Sequence, residues 1–133
     1  MTYTISQVAK MMGITVSTIR YYDKEGLLPF VDKTSNGVRV FKDEDFEGLG
    51  VITCMKNSGM PIKDIKKYMN LCIDGDSTLQ ERLRIFLKRS EAVQQQMEEF
   101  NKVMETINHK IWYYETAIEA GTEAIHKQTQ NDE

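Results

Sequence analysis

The sequence predicts a mainly α-helical chain, and three observations support this fold class. Near the N-terminus, apolar residues recur at helical spacing in two short segments that Gly13 separates. Between residues 28 and 42, β-prone segments flank the dipeptide Asn36-Gly37, which favours a hairpin turn. From Leu79 onward, apolar residues recur in alternating steps of four and three, which is the pattern of a coiled coil.

The first two helices are predicted from their ends. Thr4 begins a capping-box pattern, and Gly13 supplies a stop for the first helix. Thr15 is a good N-cap for the second helix, which we expect to end at Gly26. Two short helices joined by a glycine-containing turn are typical of a helix-turn-helix, here over residues 4–25.

The second helix has a polar face that a plain structural helix does not need. At 100° per residue, Val16 and Ile19 fall on one side, and the opposite side carries short hydroxyls, phenols and flanking cations. Ser17, Thr18, Tyr21 and Glu25 fall on that opposite side. Arg20 and Lys24 flank it on one edge, and Tyr22 flanks it on the other. These groups suit base edges and phosphate oxygens in a major groove. A solvated helix with Tyr21 or Tyr22 in a core remains the alternative when the helix is considered alone.

Residues 28–42 are predicted to form a wing. Pro29 fits the start of an edge strand, and Asn36-Gly37 favours a type I′ turn. Lys33 and Arg39 would lie near the tip and along the ribbon, where they could reach phosphates beside the groove. A basic hairpin after a helix-turn-helix favours DNA binding over the solvated-helix alternative.

A second helix pair is predicted over residues 43–73. It has an acidic first turn at residues 43–45, a break at "NSGMP", and Pro61 at the first position of the next helix. The expected inward face of that last helix comprises Ile62, Ile65, Tyr68, Met69 and Ile73. A polar linker at residues 74–77 then bounds a head domain of residues 1–74.

Residues 77–118 are predicted to be one coiled-coil helix. Of its twelve core positions from Leu79 to Ile118, only Ser90 is neither apolar nor aromatic. Such a helix would be about 60 Å long, at 1.5 Å per residue. Because no other segment of the chain offers a partner of that length, a homodimer is expected. The polar tail, residues 119–133, is expected to fray.

Charge is unevenly distributed along the chain. The formal net charge is −3, yet residues 1–42 hold six Lys/Arg against three Asp/Glu. DNA responds to such a local basic patch rather than to the net charge.

The opening segment lacks the basic and apolar regions of a secretory signal, and no apolar run approaches the ~18 residues of a membrane span. A cytoplasmic protein with reduced cysteines and no membrane partner is therefore expected.

The chain resembles the MerR-type transcriptional regulators. The resemblance is carried by "YTISQVAKMMGITVSTIRYYDKEGLL" in the head, "NGVRVF" in the wing, "SGMPIKDIKKY" in a second wing and helix, and the long terminal helix. It covers residues 1 to about 118. It implies a winged helix-turn-helix head and a homodimer whose long helices pair antiparallel.

The same resemblance implies a set of DNA-binding residues. The second helix would supply the groove contacts, Tyr22 and Arg39 would contact the backbone, and Lys56 would add a phosphate contact before the second wing. Relatives often carry Arg in the first wing strand, where this chain has Asp32-Lys33, so Lys33 would replace that contact as a point charge. The complete set is Thr15, Ser17, Thr18, Arg20, Tyr21, Tyr22, Lys33, Arg39 and Lys56.

The resemblance also implies how such a protein works. Dimers of this type sit between the elements of a poorly spaced promoter, and with inducer bound they bend and untwist the DNA. RNA polymerase then meets both elements in register, and protein contacts offset the deformation of the duplex. The implied partners are promoter DNA, a second copy of the chain, and RNA polymerase.

Few residues of the sequence indicate which inducer the protein would bind. His109 and His126 are lone histidines and no cysteine follows Cys72, so neither a metal nor a cofactor is expected. The context of Cys54, "GVITCMKNSG", is similar to the thiol- and aldehyde-sensing NmlR/AdhR-like branch, which implies a sensor thiol for a small electrophile. The residues alone favour a small core residue at Cys54, since it follows apolar positions on a half-buried helix. An unidentified small-molecule effector is the alternative.

The residues also bear on two other classes of function, an enzyme and a coiled-coil adaptor. An enzyme is not expected, because the sequence has no convergent acid, base or nucleophile set and no phosphate-cradling glycine loop. A coiled-coil adaptor, with a head that binds protein rather than DNA, remains open. Such an adaptor should bind its partner after loss of Arg20 or Arg39, whereas a regulator should lose DNA affinity.

Overall fold

A computed structural model describes residues 1–131 of the chain. Contacts divide it into two compact units, the first running from Met1 to Arg89 and the second starting at Ser90. The elements, in order, are β1 (Thr2–Tyr3), α1 (Ile5–Met12), α2 (Val16–Lys24), β2 (Asp32–Lys33), β3 (Arg39–Lys42), α3 (Asp45–Asn57), α4 (Ile62–Asp74), a 3-10 turn (Asp76–Thr78), α5 (Leu79–Ala120) and α6 (Ala124–Asn131). Within that described part, no helix is both long and apolar enough to cross a bilayer.

The structure confirms the helix-turn-helix, and the predicted capping residues cap both of its helices. The Thr4 hydroxyl accepts from the amide of Gln7, whose side chain accepts from the Thr4 amide in return. Gly13 ends α1 in the left-handed region, at φ 67°, which favours glycine. Thr15 caps α2 by accepting from the amide of Thr18 at 3.0 Å.

The wing is a hairpin, but the predicted turn type is wrong. The amide of Thr34 donates to the carbonyl of Val38, and the amide of Gly37 donates to the carbonyl of Thr34. A type I′ turn needs positive φ at both central residues, whereas here only Gly37 has it, at 80°. The connection is therefore a three-residue loop with glycine at the left-handed position. Pro29 precedes β2 rather than starting it.

The small sheet has the antiparallel order β1-β3-β2. Thr2 pairs with Lys42, and Asp32 pairs with Val40. β1 was not predicted, because a two-residue strand has no periodicity to detect. Pairing on both sides fixes β3 at the centre of the sheet, with Phe41 fully buried beneath it.

One apolar core lies under α1 to α4 and the sheet. It includes Ile19 and Tyr22 of α2, Leu49 and Ile52 of α3, and Ile65 of α4. Burying a side chain of this size contributes roughly 1.5–3 kcal/mol. These residues fix α2 from its inner side and leave its other side toward solvent.

The predicted inward face of α4 is correct except at its end. Ile65 and Met69 are buried, but Ile73 is 58% exposed and Leu71 is buried instead. The 3-10 turn after Gly75 packs against α4, where the Thr78 hydroxyl donates to the backbone carbonyl of Leu71 at 2.7 Å. Burial therefore shifts to Leu71 in the last turn.

The beginning of α5 belongs to the first unit. Phe86 packs edge-on against Tyr68, with ring centroids 5.0 Å apart. Arg82 donates to the Gly75 carbonyl at 3.0 Å, and Arg89 donates to the Ser58 carbonyl at 3.2 Å. The compact head thus extends past the polar linker to Arg89.

The second unit contains a helix that the sequence analysis did not expect. The tail was expected to fray, yet α6 folds back onto the end of α5. Buried His126 stacks on Tyr113, with ring centroids 4.2 Å apart, and its Nε2 lies 2.7 Å from Thr116 Oγ1. This aromatic contact, together with the turn at Gly121, orders a segment that polar composition suggested was free. Residues 132–133 of the predicted tail lie outside the described residues.

Candidate nucleic-acid interface

The outer face of α2 is a solvent-facing polar surface. Ser17, Arg20 and Lys24 are exposed, and so is Tyr21, at 42% of the residue surface. The Thr18 hydroxyl lies 2.8 Å from that of Thr15, so the first turn presents two coupled hydroxyls. This face provides hydrogen-bond donors and acceptors, together with cations, on a rigid helix.

Tyr22 does not belong to that face, and its predicted position at the edge is wrong. Only 1% of its surface is exposed, because the ring packs in the core beside Ile19. Its hydroxyl reaches the rim of the core, 3.5 Å from Thr53 Oγ1 on α3. Of the two adjacent tyrosines, Tyr22 therefore lies in the core, as the solvated-helix alternative allowed, whereas Tyr21 is exposed.

Lys56 joins the α2 face from a distant part of the sequence. It is exposed in the last turn of α3. Its Nζ lies 5.8 Å from the ring centroid of Tyr21 and 5.6 Å from that of Tyr22. Cation–π attraction of this kind holds an ammonium group over an aromatic face. We call Ser17, Thr18, Arg20, Tyr21 and Lys56 the α2 face.

The basic residues of the wing differ in their surroundings. Lys33 is exposed on β2. Arg39 on β3 instead faces the head, where it pairs with Asp23 of α2 at 2.7 Å and also donates to the Val31 carbonyl. This ion pair was not predicted, because no local signal indicates a contact between positions 16 residues apart.

Lys42 at the end of β3 is also held within the head. Its Nζ lies 2.9 Å from Asp45 and 3.6 Å from Asp32, and it donates to the Phe30 carbonyl. The hydrogen bond to buried Asp45 raises the pKa of Lys42 above its ordinary value. These contacts of Lys42 therefore join the end of β3 to the start of α3.

Both cysteines are free, and they differ in environment. Cys54 is exposed on α3, so it is not the core residue that its apolar neighbours suggested. Cys72 is half-buried in α4 and lines a cleft of about 390 Å³ with Tyr68, Phe30 and Arg82. Burial, together with a hydrogen bond to the Cys72 thiol, raises the pKa of Tyr68 to about 12. Among the described residues, no cluster of His, Cys, Asp and Glu could hold a metal ion.

The chain matches two family models. The model described as MerR HTH family regulatory protein matches residues 3–72, and the model described as MerR, DNA binding matches residues 46–110. Together they span the α2 face, the wing and the first part of α5.

Named relatives agree with these matches. An HTH-type transcriptional regulator of Haemophilus influenzae is 39% identical over 92% of this chain and 90% of its own length. The regulator AdhR of Bacillus subtilis is 40% identical over 61% of this chain and 58% of its own length. The crystal structure of HiNmlR, a regulator lacking the sensor domain and bound to promoter DNA, aligns with a TM-score of 0.82 and 38% identity. That alignment covers 94% of this chain and 99% of HiNmlR.

Proposed function

Because the chain belongs to the MerR family of helix-turn-helix DNA-binding transcriptional regulators, we propose that it binds an inverted-repeat promoter operator as a homodimer. The observation that carries this proposal is the α2 face, where exposed hydroxyls, Arg20 and Lys56 share one surface. Members of this family are transcriptional regulators rather than enzymes. HiNmlR, a relative of this chain, was crystallised on promoter DNA.

Contacts to DNA divide into two kinds. Ser17, Thr18, Arg20 and Tyr21 read base edges, since they are the outward groups of the helix that would enter the groove. Lys33 and Lys56 contact phosphates, and they contribute affinity without sequence preference. Two further residues support this surface. Thr15 fixes the first turn of α2, and Tyr22 supports Lys56 through its ring.

A second copy of the chain is the proposed partner of α5. From Met97 onward, the apolar row of this helix has no cover within the described chain, and Phe100 is 72% exposed. The exposed members of the row from the second unit are Met97, Phe100, Met104, Ile107, Ile111, Tyr114 and Ile118. Monomeric proteins rarely expose a continuous apolar stripe of this length. Pairing of two such helices gives the two-fold symmetry that an inverted repeat requires.

Activation is proposed to occur through DNA distortion. The dimer would bend and untwist the DNA between promoter elements, and RNA polymerase would then engage both elements. Bending a short site by 40–90° costs on the order of 1–6 kcal/mol, which contacts from two heads can offset.

Exposed Cys54 is the proposed sensor. Its thiolate would add to the carbonyl carbon of a small aldehyde, the oxygen would take up a proton from water, and a hemithioacetal would result. The resemblance of the Cys54 context to the NmlR/AdhR-like branch and the exposure of the thiol support this role. A noncovalent effector is the second candidate, and the cleft beside Tyr68 has a volume in the range of small-molecule sites.

Selection from a pool of random duplexes, with purified wild-type protein, tests DNA recognition. We expect enrichment of an inverted repeat, and Arg20→Ala should weaken binding to it by about 1–3 kcal/mol per half-site while relaxing base preference. Lys102→Ala on α5 is the matched control that removes one exposed charge. Recovery of no enriched duplex by a folded protein would contradict the proposal and favour the protein-binding adaptor.

In vitro transcription from an operator-bearing promoter tests the sensor. Cys54→Ser should bind the operator as tightly as wild type and lose the response to formaldehyde, whereas Cys72→Ser should keep it. Full induction of Cys54→Ser would exclude the thiol mechanism and leave the noncovalent effector.

A further inference from the structure

The contact between the wing and α2 depends on one guanidinium group. Arg39 donates from Nε and Nη2 to Asp23 Oδ1, at 3.0 and 2.7 Å, and from Nη1 to the carbonyl of Val31. Three nitrogen atoms of one side chain thus tie together β3, α2 and the segment that leads into β2. The Arg39 side chain is only 17% exposed and that of Asp23 is 33% exposed.

The wing has few other means of holding its position. Residues 32–38 are all exposed, so neither β2 nor the turn places a side chain in the core. The buried residues on either side of this segment are Val31, just before β2, and Phe41 on β3. Arg39 bonds to Val31 itself, at the point where the chain leaves the core for the hairpin.

Arg39 is poorly placed to serve as a phosphate contact at the same time. To reach DNA, its guanidinium would have to abandon Asp23 and the Val31 carbonyl and leave a half-buried carboxylate without its cation. Removing one member of such a pair is unfavourable because the other charge remains partly desolvated. The planar fork of Arg matches this three-nitrogen contact, which a lysine could not reproduce.

We infer that Asp23 and Arg39 form a brace that fixes the wing relative to α2, and that Arg39 is a positioning residue for DNA binding rather than a phosphate contact. The effect of the brace on DNA binding rests on the proposed function, whereas the brace itself rests only on contacts within the head. It adds Asp23, which the sequence analysis did not select, to the residues on which operator affinity depends.

The salt dependence of binding separates the two roles of Arg39. Binding of the selected inverted-repeat duplex would be measured from 50 to 300 mM KCl for wild type, Arg39→Gln, Arg39→Lys, Asp23→Asn and Lys33→Gln. Each lost phosphate contact lowers the slope of log K against log salt by about 0.9, hence by about 2 for the two copies in a dimer. We expect Lys33→Gln to lower the slope in this way, and Arg39→Gln to weaken binding about tenfold at an unchanged slope.

The partner and conservative variants sharpen this expectation. Asp23→Asn should weaken binding by an amount similar to Arg39→Gln, and Arg39→Lys should stay within about threefold of Arg39→Gln. The double variant Asp23→Asn/Arg39→Gln should be no weaker than Arg39→Gln alone, because both changes remove one brace. Tighter binding by Asp23→Asn, near-wild-type binding by Arg39→Lys, a lowered slope for Arg39→Gln, or restored affinity in the double variant would each overturn the inference.

Hydrogen exchange on DNA-free protein tests the brace independently of DNA. In Arg39→Gln and Asp23→Asn, amides of residues 31–40 should exchange about tenfold faster than in wild type. Amides of residues 62–72 in α4 report on global stability, and their exchange should quicken by no more than this factor, since global unfolding also breaks the brace. Unchanged wing exchange would overturn the brace. If the wild-type protein enriched no duplex, the proposed function would be contradicted instead. The exchange experiment would then be the only test of the brace.

Discussion

At the scale of single residues, adjacent side chains of α2 have opposite roles. Tyr21 is exposed beside Lys56, whereas Tyr22 is buried with its hydroxyl at the rim of the core. A helical rotation of about 100° separates them, and this rotation is enough to place one ring on the proposed DNA surface and the other in the core. Stability and DNA affinity should therefore respond to different members of the pair.

Substitutions of the two tyrosines test this division. Tyr22→Ala should lower the free energy of unfolding by about 3–5 kcal/mol, as for other large buried rings. Tyr22→Phe should cost less than about 1 kcal/mol, because its hydroxyl makes only a long contact of 3.5 Å. Tyr21→Ala should leave stability within about 1 kcal/mol of wild type and weaken operator binding. Denaturant titration and duplex binding measure the two effects, and equal stability loss in both alanine variants would contradict the division.

The environment of Tyr68 predicts a loss of stability at alkaline pH. Burial and the Cys72 thiol raise its pKa to about 12 in the folded state, against about 10 in the unfolded chain. The folded state therefore holds its proton more tightly, so the contribution to stability is complete below pH 10 and is lost as pH rises toward 12. Tyr68→Phe should show a shallower decline over this window in denaturant titrations. Identical pH profiles for the two proteins would contradict the assignment.

At the scale of elements, local signals were predictable and tertiary contacts were not. The caps at Thr4 and Thr15 and the stop at Gly13 depend on residues within one helical turn, so the sequence reveals them. The burial of Tyr22 and the reach of Lys56 depend on how α2 packs against α3. The turn at Gly37 differs from the predicted type because only its glycine has a positive φ. The docking of α6 was not predicted because the His126–Tyr113 stack orders a segment of polar composition.

Two glycines of α3 provide a matched test of packing in this element. A Cβ at Gly50 would meet no atom within 4 Å, so Gly50→Ala should raise stability by about 0.5–1 kcal/mol. A Cβ at Gly48 would lie 2.7 Å from the Phe30 ring, which would have to move. Gly48→Ala should therefore lower the melting temperature, whereas Gly50→Ala raises it. A gain of equal size in both variants would show that α3 does not pack on Phe30 in this way.

At the scale of the whole molecule, the sequence predicted the family, the head and the long helix, since each has a repeating or extended pattern. The ion pairs that organise the head carry no such pattern. Asp23 with Arg39 and Asp45 with Lys42 join residues of β3 to helices on either side of it in the sequence. The surface that faces DNA in our proposal thus combines predictable helical residues with supports that only the folded chain reveals.

Assembly of the molecule should depend on the apolar row of α5. Phe100→Asp would place a charge in the proposed helix pair, and we expect dimerisation to weaken at least about a hundredfold. Gln95→Asp introduces the same charge at an exposed position outside the row and should leave the dimer intact. Sedimentation equilibrium measures both variants. A stable Phe100→Asp dimer would contradict the assignment of this row to the interface.

The central claim is that two copies of the chain read two symmetric half-sites through the α2 face. A DNase I footprint of the purified protein on the DNA upstream of its own gene, in moderate salt, tests it most directly. We predict protection of one inverted repeat between promoter elements, with two chains bound per duplex, and loss of that protection in Arg20→Ala at the same concentration. Protection of a single asymmetric site, or a footprint that Arg20→Ala leaves unchanged, would contradict the claim.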